Sequence, residues 1–289
     1  METRSYELGN AVSNDGAMFY VKQSGVGAGP GTNAGVRADA GAAVSSIGAD
    51  EPCPFLSDEL LGSATPASAV SAVFDRVPDF DGAPVTWDRI RELHRSCAPN
   101  PAAFGLLWTH CRIVALLARD FARRYAFRAK RQGLSGPNEQ LVVVGGLLHD
   151  IGVYRVFAAD GAAFDHDRYL FHGLEGWLIL HENGFGERIA GFARDHTGVG
   201  MTCRDVLDEG LRLPADDYSP RTLEEELVMY ADKFHTKSNP PTFVSPAAAR
   251  RSARRFGEAK ARRLDRFAEK FGEPDLEELA AACGMEIRR

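Results

Sequence analysis

The chain has 289 residues, 44% of them hydrophobic and 26% charged, a composition typical of globular proteins with one large domain or two small ones. Its formal net charge of −6 argues against a general nucleic-acid binder, which is normally basic. The five cysteines are scattered and include no C-x-x-C pair. The sequence therefore predicts neither a disulfide framework nor a zinc knuckle, and we expect a reducing cytoplasm as its location.

Residues 1–80 are predicted to form a flexible extension without an assigned function. Their first 50 residues are rich in glycine and alanine, so this segment buries too little apolar surface to offset its ordering entropy. FLSDELLG at 55–62 predicts at most one helical turn or a docking patch. The alternative for the whole segment is an arm that orders on a partner or on a second subunit, which leaves a homo-oligomer open.

Membrane segments are not expected from the apolar pattern. The N-terminal METRSYELGN is not followed by the apolar stretch of a signal peptide. The longest apolar run, LVVVGGLL at 141–148, is too short to span a bilayer.

Residues 81–289 are predicted to form one all-α domain. Helices are expected over 86–97, 101–131 and 138–150, with Thr86 and Asn138 as N-caps. A polar loop follows over 153–168, and then two helices over 173–184 and 186–196. A capping box from Thr222 to Glu225 opens a helix that continues to 235.

The C-terminal part is predicted to be a basic amphipathic helix over 246–271 and a short last helix in EPDLEELAAACG. No segment shows the alternation of a half-buried strand, so no strands are expected. The basic run RRSARRFGEAKARR at 250–263 is interpreted as the solvated face of a helix docked through its apolar side. A nucleic-acid partner is therefore not expected.

Histidines and aspartates form an ordered series on or at the ends of successive predicted helices. The series consists of His110, His149, Asp150, His172, His196 and Asp232. Adjacent side chains diverge by about 100° in mid-helix, but His149 and Asp150 lie at a helix end, where they can converge on one point. Gly145 and Gly146 would let another helix approach closely. Asp232 lies on an apolar helix, where a buried carboxylate needs a partner.

These side chains are suited to divalent transition metals. Imidazole and carboxylate together favour iron or manganese, with zinc, nickel or magnesium as further possibilities. An aspartate can offer one oxygen to each of two metals, and a metal pair can activate water beside a phosphoryl group. The sequence therefore predicts a metal site assembled from several helices.

The motif order resembles that of the HD-domain superfamily of metal-dependent phosphohydrolases. LLHDIG at 147–152, a helical histidine 39 residues before His149, and YAD at 230–232 carry the resemblance. HGLEGWLIL and ARDHTGVG are similar to a subgroup of small proteins in this superfamily. The resemblance implies a multi-helix HD-domain bundle with a dinuclear site. One metal would bind His110, His149, Asp150 and Asp232; the second would bind His172 and His196, with Asp150 bridging.

Three functions fit the resemblance. The first is metal-dependent hydrolysis of a small anionic phosphoester, nucleotide-like in character. The second is a di-iron oxygenase that cleaves a C–C or C–P bond with O₂, as in a minority of HD-domain proteins. The third is a non-catalytic binding protein stabilised by its metal.

An anionic substrate requires cations and hydrogen-bond donors near the ligands. Catalytic roles are predicted for Asp150, Lys233 and Arg194, because Lys233 directly follows Asp232 and Arg194 flanks His196 in sequence. Substrate contacts are predicted for Arg168, His166, His235 and Lys237. His94 and His181 lie among polar helix residues and are expected at the surface.

Overall fold

A computed structural model describes residues 85–289 of the chain. The flexible extension predicted for residues 1–80, with its turn at 55–62, lies outside these residues. Within 85–289 the fold is all-α, as predicted, and contains ten α-helices. They are α1 (Trp87–Cys97), α2 (Pro101–Arg131), α3 (Glu139–Leu148), α4 (His172–Glu182), α5 (Glu187–Arg194), α6 (Cys203–Asp208), α7 (Leu223–Ala231), α8 (Pro246–Arg255), α9 (Glu258–Phe271) and α10 (Glu277–Cys283). Short 3₁₀ helices cover Ile151–Val156, Tyr169–Phe171 and Asp232–Phe234.

The long helix α2 is the centre of the bundle. It packs against α3 and α7 and buries Leu107, Ile113, Val114 and Phe121 completely. By length and composition alone α2 could cross a membrane, but 67% of its most apolar window is buried inside the protein. The apolar character of α2 is therefore accounted for by the core that it builds with its neighbours.

The predicted helix caps are largely confirmed. The side chains of Thr86 and Asn138 accept hydrogen bonds from the backbone N–H groups of Arg89 and Leu141, at 3.1 and 3.2 Å. Only half of the predicted capping box at α7 forms. Thr222 accepts from the Glu225 N–H, but the Glu225 carboxylate accepts from the N–H of Arg221 instead of that of Thr222.

Glycines bring the ligand-bearing segments into close contact. A Cβ added to Gly146 would lie 2.6 Å from the Cα of Ala115 in α2, and one added to Gly145 would lie 2.3 Å from the ring of Phe192 in α5. The predicted close helix approach at these glycines is confirmed. At Gly152 an added Cβ would meet the His172 carbonyl oxygen at 2.0 Å, so this glycine packs the start of α4 against the segment after Asp150.

Three expectations about connecting segments are wrong. The predicted loop at 153–168 begins with a 3₁₀ helix whose Val153 and Val156 are fully buried. The single helix predicted over 246–271 is interrupted at Gly257, whose φ of 113° is incompatible with a continuous helix. Two short strands, β1 (Phe243–Val244) and β2 (Ile287–Arg288), pair in parallel. Two-residue strands are too short to leave a periodic pattern in the sequence.

Candidate metal centre

The fold brings all six predicted ligands together, although they come from separate elements. His110 lies in α2, and His149 and Asp150 follow α3 directly. His172 opens α4, His196 lies just beyond α5, and Asp232 opens the 3₁₀ helix after α7. Five of the six are buried, and the side chain of Asp232 is 10% exposed. Their role as metal ligands stays a prediction, but their proximity is a property of the structure.

Four of these residues form the first group. The Nε2 atom of His110 lies 3.1 Å from Asp150 Oδ2 and 3.1 Å from Asp232 Oδ1. The Nε2 atom of His149 lies 3.3 Å and 3.5 Å from the same two oxygens. All four ligand atoms fall within 4.8 Å of one another, a spacing compatible with one metal ion.

The second group uses the other oxygen of Asp150. Its Oδ1 lies 3.2 Å from His196 Nε2 and 3.6 Å from His172 Nε2. These three residues also lie within 4.8 Å of one another. Asp150 thus presents one oxygen to each group, the arrangement expected of a bridging carboxylate.

Backbone carbonyls fix the orientation of three of the histidine rings. The Nδ1 atoms of His149, His172 and His196 lie 2.8, 2.6 and 2.8 Å from the carbonyl oxygens of residues 146, 169 and 193. In each case the acceptor is three residues earlier in the chain, the spacing of a helical turn. Because a carbonyl can only accept, Nδ1 carries the proton and Nε2 is left to bind a cation.

Several ligand atoms of the centre lack a suitable hydrogen-bond partner among residues 85–289. The Nε2 atoms of His172 and His196 are 3.1 Å apart, and with both Nδ1 atoms protonated they bring two lone pairs face to face. His149 Nε2 and Asp150 Oδ1 are buried and lack a hydrogen-bond partner. Buried polar atoms are nearly always paired, so these contacts point to a cation.

The electrostatics keep the carboxylates ionised and two of the rings neutral. Burial would raise the pKa of Asp150, but Lys237 and His149 outweigh burial and hold this pKa well below its usual range. Burial and the nearby ring of His196 lower the pKa of His172 to about 3, and burial also lowers the pKa of His196. Neutral imidazole and charged carboxylate are the forms that bind metals.

His149 differs from these two histidines. Burial would lower its pKa, but Asp150 and Asp232 outweigh burial and raise this pKa well above its usual value. A proton on Nε2 and a metal ion would therefore be attracted by the same two carboxylates. Metal binding at His149 would release that proton.

Two lysines contact the carboxylates of the centre. Lys233 Nζ lies 2.7 Å from Asp232 Oδ2, and Lys237 Nζ lies 2.5 Å from Asp150 Oδ2. Both ammonium groups are nearly buried. The position of Lys233 beside Asp232 agrees with its place in the sequence. The loop after α7 also brings Lys237 into contact with Asp150, although the sequence predicted Lys237 only as a substrate contact.

His235 lines the cavity and also contacts His110, one of the predicted ligands. Its Nδ1 atom is 2.9 Å from Nδ1 of His110, so it is placed to orient that ring. Burial and the neighbouring His110 hold the pKa of His235 well below its usual value. The sequence predicted only a substrate contact for His235 and did not indicate its contact with His110.

The structure does not bring three predicted residues to the centre. Arg194 directs its guanidinium to Asp195, Asp216 and the carbonyl of Asp217, and it stacks on the ring of Tyr218. Arg194 ends α5 two residues before His196, and this short separation in sequence does not bring its guanidinium to the centre. The catalytic role of Arg194 stays a prediction that this geometry does not support.

Arg168 and His166 lie on an exposed loop. Arg168 reaches Glu175 at 3.4 Å, and its side chain is 51% exposed. His166 is exposed too. Neither residue lines the cavity described next, so the predicted substrate contacts at these positions are not supported.

A cavity adjoins the centre and extends toward the C-terminal helices. His172, His196, Asp232, Lys233 and Lys237 line one side of it. Other lining residues were not anticipated from the sequence and include Val244, Ala249, Ser252, Leu264 and Arg288. The pairing of β1 with β2 holds the end of the chain beside the loop that carries Lys237. A helical periodicity could have identified α8 and α9, but not the cavity that they face.

The expectation that His94 lies at the surface is wrong, because His94 is fully buried. Its Nε2–H donates to the carbonyl oxygen of Leu147 at 2.8 Å, and Nδ1 accepts from the hydroxyl of Tyr154 at 3.0 Å. Both nitrogens of the neutral ring are thus paired, whereas a second proton would place an unpaired positive charge in the core. Burial lowers the pKa of His94 to about 4 from 6.5. His181, by comparison, is half-buried and contacts Glu187.

His94 is expected to make the metal-depleted protein acid-sensitive. Its folded pKa is depressed, so its contribution to stability is complete above about pH 6.5 and decreases as the pH falls toward 4. Between pH 7.5 and 5 this group alone should cost about 2 kcal/mol of the free energy of unfolding. His94→Gln keeps a donor and an acceptor but does not titrate. In urea unfolding with a chelator present, the free energy of unfolding of the parent relative to that of the variant should fall by that amount between pH 7.5 and 5. Parallel pH profiles would contradict this assignment.

The fold and the site define an all-α protein with a buried centre of histidines and aspartates able to hold metal ions. The family model for the HD domain matches residues 107–237, a range that contains all six predicted ligands. This match covers the part of the chain that carries the centre, and it confirms the predicted resemblance to HD-domain proteins.

Curated relatives match part of the chain. An uncharacterized protein of Methanocaldococcus jannaschii is 38% identical over 130 residues, which are 44% of this chain and 66% of the relative. A tRNA (cytidine(56)-2'-O)-methyltransferase of Picrophilus torridus is 35% identical over 97 residues, 34% of this chain and 25% of that enzyme. The chain thus spans just under two thirds of the first relative and about a quarter of the second.

Solved structures give a more distant likeness. The HD domain of the phosphodiesterase PgpH from L. monocytogenes aligns with a TM-score of 0.38 and 21% identity, covering 68% of this chain and 93% of that domain. The same domain in complex with cyclic-di-AMP aligns with a TM-score of 0.41 and 18% identity, covering 69% and 99%.

Proposed function

We propose that the chain is a metal-dependent phosphohydrolase that acts on a small, nucleotide-like phosphoester. One observation carries the proposal. Asp150 directs one oxygen to each of two histidine groups, beside a cavity lined by two lysines. A carboxylate shared by two cation positions next to an anion-binding cavity is suited to phosphoryl chemistry.

The residues that would hold metal are those of the two groups. His110, His149, Asp150 and Asp232 would hold one ion, and Asp150, His172 and His196 the other. Iron and manganese suit this mixture of imidazole and carboxylate best. The ions would supply an activated water and positive charge toward the phosphoryl oxygens.

The number of protein ligands favours catalysis over a purely structural metal. The second group contains three ligating residues within the described part of the chain, against four in the first. Structural sites are usually closed by four protein ligands, whereas catalytic sites keep positions for water or substrate. A metal that only held helices together would not need this opening beside a cavity.

The side chains around the cavity are suited to an organic phosphoester. Lys233 and Lys237 provide positive charge for phosphoryl oxygens. Val244, Ala249 and Leu264 in the cavity lining provide an apolar surface for the part of the substrate that does not react.

One experiment separates the candidate functions. The protein is purified anaerobically and its metals are identified. Phosphate release is measured with nucleoside monophosphates, and p-nitrophenol release with p-nitrophenyl phosphate and bis(p-nitrophenyl) phosphate. We expect hydrolysis that depends on manganese or iron and stops with a chelator. O₂ consumption without hydrolysis of any phosphoester would contradict the proposal and favour the di-iron oxygenase. Bound metal with neither reaction would favour the binding protein.

A further inference from the structure

The two lysines of the centre contact their aspartates in different ways. Asp232 uses separate oxygens: Oδ1 faces His110 at 3.1 Å and His149 at 3.5 Å, while Oδ2 contacts Lys233 at 2.7 Å. Lys233 is therefore on the side of the carboxylate that faces away from the histidines. In this position its ammonium group can hold the carboxylate in place without obstructing the ligating oxygen.

Asp150 uses a single oxygen for both kinds of contact. Its Oδ2 lies 2.5 Å from Lys237 Nζ, and the same atom faces His110 at 3.1 Å and His149 at 3.3 Å. The other oxygen, Oδ1, is directed to the second group of histidines. The ammonium group of Lys237 is thus placed at the oxygen that the first group needs.

We propose that Lys237 competes with the metal ion for Asp150 Oδ2, whereas Lys233 supports metal binding by orienting Asp232. Two cations on one buried oxygen lie within a few ångströms of each other, where their repulsion is poorly screened. Metal binding at the first group would therefore displace the Lys237 ammonium from Asp150. Lys237 also lines the cavity, so the displaced ammonium can remain there and meet an anion.

The competition gives the two lysines opposite effects on metal affinity. Removing Lys237 takes away a competitor and should tighten binding at the first group. Removing Lys233 frees the Asp232 carboxylate to turn and should weaken binding at the same group. Each change removes one positive charge from the same cavity, so a general electrostatic effect would tighten both variants alike.

The test uses Mn²⁺ alone as the probe, with the full chain and its Lys237→Gln and Lys233→Gln variants. Dissociation constants are measured by competition with a chelator of known affinity. We expect the dissociation constant for Mn²⁺ at the first group to be lower in Lys237→Gln than in the parent by about tenfold or more, because a close buried cation has been removed. Lys233→Gln should bind Mn²⁺ there about tenfold more weakly, the usual scale for loss of an orienting partner.

Unchanged or weaker binding by Lys237→Gln would overturn the inference, as would tighter binding by both variants. Lys237→Met is a second test if the glutamine variant does not fold. The inference rests on the metal-dependent function proposed above, but the two can fail separately. Metal binding without phosphoester turnover would remove the proposed function and leave the competition measurable. Metal-dependent turnover with unchanged affinity in the lysine variants would remove the competition alone.

Discussion

Replacing Asp150 with alanine is expected to lower the occupancy of both metal positions and to remove nearly all turnover. Each group takes one oxygen from this carboxylate, so the substitution removes a ligand from both at once. The remaining imidazoles would surround two cations with less negative charge to compensate them. We expect less than half of the parent's metal content and a fall in kcat/KM of about 1,000-fold, the scale on which loss of a charge-stabilising group acts in enzymes.

Loss of metal must be distinguished from loss of the fold. Asp150→Ala leaves Lys237 nearly buried without its carboxylate, and breaking such a pair costs about 3–5 kcal/mol. The double variant Asp150→Ala, Lys237→Met removes the stranded charge and should regain stability without regaining metal. Asp205→Ala is the matched control, because Asp205 pairs with Lys260 and Arg263 away from the centre. A single Asp150→Ala variant with the parent's metal content would show that Asp150 is not a ligand.

Replacing His172 with alanine is expected to empty one position and to spare the other. The second group has three ligating residues, and this change leaves only Asp150 and His196. The first group keeps all four of its members, and the Asp150 oxygen that faces His172 is Oδ1, which the first group does not use. Metal content should therefore fall from about two equivalents to one, and turnover should be largely lost because two ions are needed to act on one phosphoryl group.

Metal analysis of His172→Ala distinguishes a dinuclear from a mononuclear centre. In a mononuclear centre the metal content would stay at the parent's value, and only turnover or substrate binding would change. His181→Ala is the matched control: it lies in the same helix, α4, but contacts Glu187 at the surface. Equal metal content in parent, control and His172→Ala would make the dinuclear assignment wrong.

Predictions from local chemistry agreed with the structure where the chain's own spacing set the outcome. Thr86 and Asn138 cap their helices because a side-chain oxygen at that position reaches the free N–H groups of the first turn. Gly145 and Gly146 mark a close helix contact because no other residue leaves that space. Both arguments need only a few neighbouring residues.

Predictions that depended on the direction in which a side chain points were less successful. Arg194 and Arg168 both lie within four residues of a predicted ligand, yet their guanidinium groups contact acidic side chains elsewhere. His94 has polar neighbours in sequence but faces Tyr154 and the end of α3 in the core. Sequence adjacency gives proximity of the backbone, whereas the packing of helices decides which way each side chain points.

The sequence by itself determined the helical class of the domain and the six residues that meet at its centre. Helical periodicity and the order of the histidines and aspartates can both be recognised from short motifs along the chain. Only the tertiary structure decided that Asp150 divides its two oxygens between the groups, and that Lys237 contacts the oxygen facing His110. Only the tertiary structure showed that α8, α9 and β2 complete the cavity. These features depend on contacts between residues far apart in the sequence, such as Asp150 and Lys237, which are 87 positions apart, and the packing of the whole bundle sets those contacts.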